Sequence, residues 1–191
     1  MAKRLRDKPG PPELGKNMHI LKGHQRLDFL VSRSKPGRLL DVGCGEGAFS
    51  IAAKDMGDEV YAIDLFDVGG SLKEHGIHFT QTSLDDFNTD LEFNTILLME
   101  VIEHLEDPEA AIEKCYGMLA YMGKLLITTP HVPDWDYEED HIWRWTPDEF
   151  RTMIEKVDPI AEIWTDDIFN YAVLVDDYRR DYEPGKNRKG A

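Results

Sequence analysis

The stretch Leu39-Leu40-Asp41-Val42-Gly43-Cys44-Gly45-Glu46-Gly47-Ala48-Phe49 decides the fold of this chain. A short apolar run ends in Asp41, glycine recurs at every second position from Gly43 to Gly47, and Ser50 to Lys54 has helical character. Strand, glycine turn and helix form the corner at which an open α/β sheet binds nucleotide-like ligands, outside the carboxyl end of the strand. Glycine supplies unusual φ there and lets the backbone approach the ligand. A tight turn with no ligand is the plainer alternative, but three glycines beside an acid are a costly way to build one.

Outward from this corner the chain alternates strands and helices. Upstream, Ile20, Leu21, Leu27, Leu30 and Val31 predict one apolar helix face, broken at Lys35-Pro36-Gly37. Strands are expected at Arg38–Gly43, Glu59–Asp64, Ile77–Gln81, Phe93–Met99 and Lys124–Thr129. Helices are expected at Ser50–Met56 and Pro108–Met118, the second stopped by Met122-Gly123, with a loop or short helix over 67–76. A long polar and aromatic loop runs from His131 to Arg144. Thr146 then caps a helix that has Pro147 at its first position, Glu149 at its third, and reaches about Val157. Two strands close the chain, Pro159–Thr165 and Tyr171–Val175. The pattern predicts a single α/β domain over residues 17–177, a mostly parallel seven-stranded sheet with helices on both faces. Only about five residues join the last two strands. That is too few for a parallel crossover, so they should form an antiparallel pair at one edge.

Composition narrows the classes. The net charge of −15 is carried by the body, because basic residues gather at the ends. Residues 1–16 and 178–191 hold five Lys/Arg each against two acids each, and both read as disordered tails, which leaves 12 basic and 33 acidic residues over 17–177. A body that acidic repels polyanions, so a nucleic-acid partner is disfavoured unless the tails supply the contact. Two cysteines, Cys44 in the glycine turn and Cys115 in a helical pattern, fit a reducing cytoplasm better than a disulfide. No apolar run has membrane-spanning length, and no secretory leader is seen at Met1. Oligomeric state is not legible.

The glycine corner by itself leaves two cofactor classes open. Gly43-x-Gly45-x-x-Ala48, with Asp64 at the spacing of a ribose-binding acid, satisfies the dinucleotide pattern of a dehydrogenase. The run Asp41 to Gly47 also resembles the first motif of class I S-adenosylmethionine-dependent methyltransferases. A second stretch sharpens this: Glu100-Val101-Ile102-Glu103-His104-Leu105-Glu106-Asp107-Pro108 resembles the segment after the fourth strand of the ubiquinone-biosynthesis O-methyltransferase group. With Asp64 and Thr129-Pro130 the resemblance covers roughly residues 38–150. It implies a Rossmann-like methyltransferase fold and S-adenosyl-L-methionine as cofactor. Asp41, Gly43, Cys44, Gly45 and Gly47 would then face its methionine and ribose, with Asp64 and Leu65 at the ribose and Met99 and Glu100 beside the methyl group. Ser83 stands where relatives often carry an acid near the adenine, so the adenine contact falls to Ser83, Leu84 or Asp85. Asp64 has a plainer reading too, as the cap of the next turn.

The chemistry is expected at Glu100, Glu103 and His104. A helical turn starting at Glu100 would put Glu103 and His104 on one face with it. Either His104, tuned by Glu103 and its other acidic neighbours, is a general base for an acceptor hydroxyl, or the three groups hold Mg2+ or another divalent cation. His141, before Trp143-Arg144-Trp145-Thr146, resembles the later metal-binding histidine of the small-RNA 3′-terminal 2′-O-methyltransferases, which share the ExxEH segment. Structural alternatives are that Glu103 or His104 caps the turn and His141 tethers the loop. Trp135, Tyr137, Trp143 and Trp145 would stack on a planar acceptor or pack the loop, with Trp145 the most core-like. The expected activity is methyl transfer to an oxygen of a small-molecule acceptor. The alternatives are an RNA 2′-hydroxyl as acceptor, a non-catalytic cofactor-binding protein and, last, a dehydrogenase.

Overall fold

The computed structural model describes residues 25–131 and 141–177. Seven strands form one sheet in the order β3-β2-β1-β4-β5-β7-β6. They are β1 (Arg38–Val42), β2 (Glu59–Asp64), β3 (His78–Gln81), β4 (Phe93–Met99), β5 (Leu119–Pro130), β6 (Glu162–Thr165) and β7 (Phe169–Val175). The first five run parallel, and the order reverses between β1 and β4. A crevice outside the carboxyl ends of these two strands is therefore the expected ligand site.

Alternation along the strands divides the core between two faces. Leu40, Ile96 and Leu98 join α4 (Pro108–Gly117) and α5 (Pro147–Val157) on one face through Ala111, Ile112, Cys115, Phe150, Met153 and Ile154. Leu39, Leu97 and Met99 join the other face, where a helix over 25–33 (α1), α2 (Ala48–Asp55) and α3 (Gly69–Glu74) contribute Phe29, Leu30, Ala53 and Leu72. Burial on both sides explains why β4 reads as an almost unbroken apolar run.

The expected antiparallel pair is present at one edge. The reversed strand is β7, which lies between β5 and β6 and is antiparallel to both. Asp166 closes the hairpin by accepting the Ile168 and Phe169 backbone N–H groups, each at 2.7 Å. The Thr146 cap is also as expected: its side chain accepts from Glu149 N–H while the Glu149 carboxylate accepts from Thr146 N–H.

Two expectations need correcting. β5 begins at Leu119, five residues before Lys124, because Met122-Gly123 is an irregularity inside the strand. Met122 has φ 57°, the pairing with β4 shifts between Phe93 and Thr95, and a Cβ on Gly123 would lie 2.7 Å from the Phe93 carbonyl oxygen. On α1, Phe29 and Leu30 are buried whereas Val31 is 55 % exposed, so the apolar face sits a residue earlier than expected. Ile20, Leu21, both tails, Trp135 and Tyr137 lie outside the described residues.

Candidate active site

The glycine corner is held by backbone bonds to β2. Gly43 and Cys44 both donate to the Ile63 carbonyl, at 2.9 and 3.1 Å. Asp64 ties the turn from its side chain: Oδ2 accepts from Gly45 N–H and Oδ1 from Phe66 N–H, both at 2.9 Å. The turn-capping reading of Asp64 is thus realised, and each carboxylate oxygen keeps a further lone pair for a ligand hydroxyl.

Gly47 is the N-cap of α2 at φ 83°, and a Cβ there would run into the Leu72 side chain. Gly47→Ala combines left-handed strain with overpacking, so urea unfolding should show a loss of roughly 2–4 kcal/mol. A change below about 0.5 kcal/mol would contradict this account of the turn.

Asp41 is buried at 2 % exposure and accepts from Ser50 Oγ at 2.6 Å, which pins α2 to β1. Burial pushes its carboxyl up from the ordinary 3.8 to about 6, with the Ser50 bond offsetting only part of the effect. The folded state therefore holds the proton more tightly than the unfolded chain. This contribution is full below about 3.8 and is lost as pH rises through about 6. It amounts to about 3 kcal/mol, so without ligand Asp41→Asn should gain thermal stability relative to wild type between pH 4 and pH 7. A difference in Tm that is the same at both pH values would rule this out. Beside it, burial also pushes the Cys44 thiol up to about 12, so Cys44 is a neutral packing group whose backbone shapes the turn.

A cavity of about 520 Å3 opens at the switch point. It joins Gly43, Asp64, Leu65, Ser83, Leu84, Asp85, Glu100 and His104, all expected from the sequence. Asp41, Cys44, Gly45, Gly47 and Met99 do not line it; they sit behind or beside it as supports. The Ser83 hydroxyl is engaged with Asp86, accepting its N–H at 3.0 Å and donating to its Oδ2 at 2.9 Å. Its neighbour Leu84 is buried against the core.

The segment from Glu100 to His104 departs from the expected single helical face. Glu100 has φ 60°, and a single 3-10 turn follows at Ile102–His104. The positive φ turns the Glu100 carboxylate toward Thr128, whose hydroxyl donates to Oε1 at 3.0 Å, and toward Arg26 at 3.6 Å. Glu103 is fully buried and accepts from Thr129 Oγ1 at 3.2 Å, whereas His104 is exposed on the cavity wall. His141 is buried and packs edge-on against His104 with ring centroids 4.6 Å apart. The ligand atoms of Glu103, His104 and His141 all lie within 4.8 Å of one another. Glu100 is not one of this group, so the four expected metal ligands reduce to three among the described residues. The backbone fixes the approach of the second histidine: Ile142 and Trp143 N–H both donate to the Glu103 carbonyl, at 2.9 and 3.2 Å.

Sequence reasoning missed Arg26. It projects from α1, with its guanidinium 5.6 Å from the Phe49 ring centroid and 5.4 Å from that of Phe169, while facing Glu100. A charged residue in a helix read only for its apolar positions gave no signal. Arg26 does not line the cavity; lining residues that were also missed include Phe66, Thr82, Val101 and the run Leu105 to Asp107.

The sheet order, the glycine corner on β1 and a cavity at the switch point define a Rossmann-like methyltransferase fold. Solved structures share it at low identity. An N-methyltransferase, NodS from Bradyrhizobium japonicum WM9 in complex with S-adenosyl-L-homocysteine, is 20 % identical with a TM-score of 0.63 over 85 % of this chain and 89 % of that one. The magnesium protoporphyrin IX methyltransferase of Synechocystis PCC 6803 with bound SAM is 16 % identical with a TM-score of 0.64, over 88 % and 86 %. The chain belongs to the methyltransferase-domain family, whose model matches residues 17–158. Among curated relatives, the ubiquinone biosynthesis O-methyltransferase of Xanthomonas campestris pv. campestris (strain B100) is 35 % identical over 142 residues, and that of Xanthomonas axonopodis pv. citri (strain 306) 32 %. Each match covers 68 % of this chain and 57 % of the relative, so the chain spans a little over half the length of the curated relatives it matches. The resemblance read from Asp41–Gly47 and Glu100–Pro108 is thus borne out, and the dehydrogenase reading is set aside. No helix of the described residues is long and apolar enough to cross a membrane.

Proposed function

We propose that this chain transfers the methyl group of S-adenosylmethionine to an oxygen of a small-molecule acceptor, with His104 as the base. The supporting observation is one cavity lined both by Gly43, Asp64 and Leu84 and by His104. In this reading the ribose hydroxyls donate to Asp64, the adenine lies by Ser83, Leu84 and Asp85, and the methionine end points toward Glu100. Arg26 is an added candidate for the methionine carboxylate. The acceptor oxygen attacks the methyl carbon in line with sulfur; its proton passes to the His104 imidazole, and the sulfonium leaves as a neutral thioether. Alignment of oxygen, methyl and sulfur supplies much of the rate, and the proton transfer adds to it.

A divalent cation fits the second form of this reading. Glu103, His104 and His141 would hold it, and two imidazoles with one carboxylate suit manganese, iron or zinc better than Mg2+, which prefers oxygen ligands. Such an ion would acidify an acceptor hydroxyl when bound. Calorimetric titration of metal-stripped protein with Mn2+, Zn2+ and Mg2+ tests it. Tight binding that His141→Ala abolishes supports the site, and no binding of any of the three ends it.

The deciding experiment for the main reading is incubation with methyl-labelled S-adenosylmethionine and a panel of catechols, phenols and matched amines, with product identification. Methyl ethers are expected, and transfer only to nitrogen or carbon would overturn the oxygen assignment. An RNA 3′-terminal 2′-hydroxyl is the second reading, favoured by the same histidine pair. It requires salt-dependent binding of a short RNA despite the acidic body.

A further inference from the structure

The two carboxylates that follow β4 are held on opposite faces of the sheet. By strand alternation Glu100 should follow Ile96 and Leu98 toward α4 and α5. Its φ of 60° sends it instead to Thr128, which shares a face with Met99 and Leu126, the face that α1 and α2 cover. Glu103 takes the other course and is held by Thr129, on the face of Ile127. Consecutive threonines at the end of β5 thus sort the two acids, and only Glu103 joins the histidine pair. A left-handed conformation costs a non-glycine residue free energy and persists where the surroundings enforce it. Here they are the Thr128 hydroxyl, the bond from Glu100 N–H to the Thr128 carbonyl at 3.0 Å, and Arg26.

Arg26 reaches Glu100 from α1, beside the rings of Phe49 and Phe169. The guanidinium and carboxylate are 3.6 Å apart, longer than a hydrogen bond, with 19 % and 18 % of the two side chains exposed. Glu100 lines the cavity, and Arg26 stands behind it. One end of the cavity is therefore closed by an anion and a cation. Their signs match, in the opposite sense, an α-ammonium and an α-carboxylate.

We propose that this ion pair is exchanged for the amino-acid end of the cofactor: Glu100 takes the α-ammonium, and Arg26, released from Glu100, takes the α-carboxylate. The inference rests on the methionine end pointing toward Glu100, and it adds a rule of selection. A ligand with both charges replaces one ion pair by two. A ligand with one charge engages one partner and separates the other from its counter-charge, which is costly for a partly buried group. A ligand with neither leaves the pair closed. Losing the first charge therefore costs most of the affinity, and losing the second costs nothing further.

Four nucleoside thioethers test this by calorimetry, without turnover: S-adenosylhomocysteine, its decarboxylated analogue, its deaminated analogue, and propylthioadenosine, which lacks both groups. Each singly charged analogue should bind at least about tenfold more weakly than S-adenosylhomocysteine and within about threefold of propylthioadenosine. In Glu100→Gln the deaminated analogue, which keeps the carboxylate, should gain about fivefold or more over propylthioadenosine. In Arg26→Gln the decarboxylated analogue, which keeps the ammonium, should gain instead. Propylthioadenosine is the reference within each protein, so a general weakening cancels, and the wild-type series decides alone should a variant not fold. Single losses that add up to the double loss, or variants that leave the order of the two singly charged analogues unchanged, would each overturn the proposal. Failure of the oxygen-transfer reading would show separately, as product on nitrogen or carbon, and leaves these affinities intact.

Discussion

His104→Ala lowers kcat by about 10²–10⁴-fold and leaves the affinity for S-adenosylhomocysteine within about twofold of wild type, the expected size for losing a positioned base. The split follows from placement. His104 stands on the cavity wall, exposed, on a 3-10 turn that lies outside the glycine corner. The proposed cofactor half is organised by β1, β2 and the Asp64 bridge to Gly45. Removing an exposed imidazole should also cost little stability, within about 0.5 kcal/mol. Steady-state kinetics on the best acceptor from the phenol panel, together with calorimetry, read out both halves. An unchanged kcat would remove His104 from the chemistry. A large loss of cofactor affinity with kcat intact would instead make it a binding residue.

Asp64→Ala should weaken S-adenosylhomocysteine binding by about a hundredfold or more. Two hydrogen bonds from ribose hydroxyls to a carboxylate are each worth about 1.5–3 kcal/mol. The variant also strips the acceptor from Gly45 N–H and Phe66 N–H, so the turn that should face the cofactor loses its fixed shape. Asp64→Asn keeps one acceptor oxygen without the charge and should fall between the two, near tenfold. An affinity within threefold of wild type in Asp64→Ala would sink the ribose assignment and leave Asp64 as a turn cap alone.

Much of this site was legible because its signals are local. The glycine spacing at 43, 45 and 47, the acid ending β2 at Asp64 and the segment from Glu100 to Pro108 each lie within a few residues. β2 and β4 were delimited correctly because strands buried on both faces write themselves as apolar runs. What escaped depends on single dihedrals or on distant partners. The positive φ at Glu100 swings one carboxylate away from Glu103 and His104, and spacing alone could not report it. Met122 and Gly123 carry the composition of a helix stop but serve as a kink within β5, since the register with β4 decides the matter. Arg26 meets Phe49, Phe169 and Glu100, partners 23, 143 and 74 positions away, so nothing near it in the sequence marked it.

The two backbone bonds onto the Glu103 carbonyl have a consequence for how such a protein can change. At one end of the 131–142 connection, His131 donates its N–H to the Ile168 carbonyl and sets its ring against the Asp166 carbonyl at 2.7 Å; at the other, Ile142 and Trp143 are fastened to the Glu103 carbonyl. Each end is thus held by backbone bonds of its own. For a flexible connection between two fixed ends, each doubling of length costs only about 0.6 kcal/mol of chain-closure entropy. Insertion or exchange between these two anchors should therefore leave β1, Asp64 and the glycine corner in place.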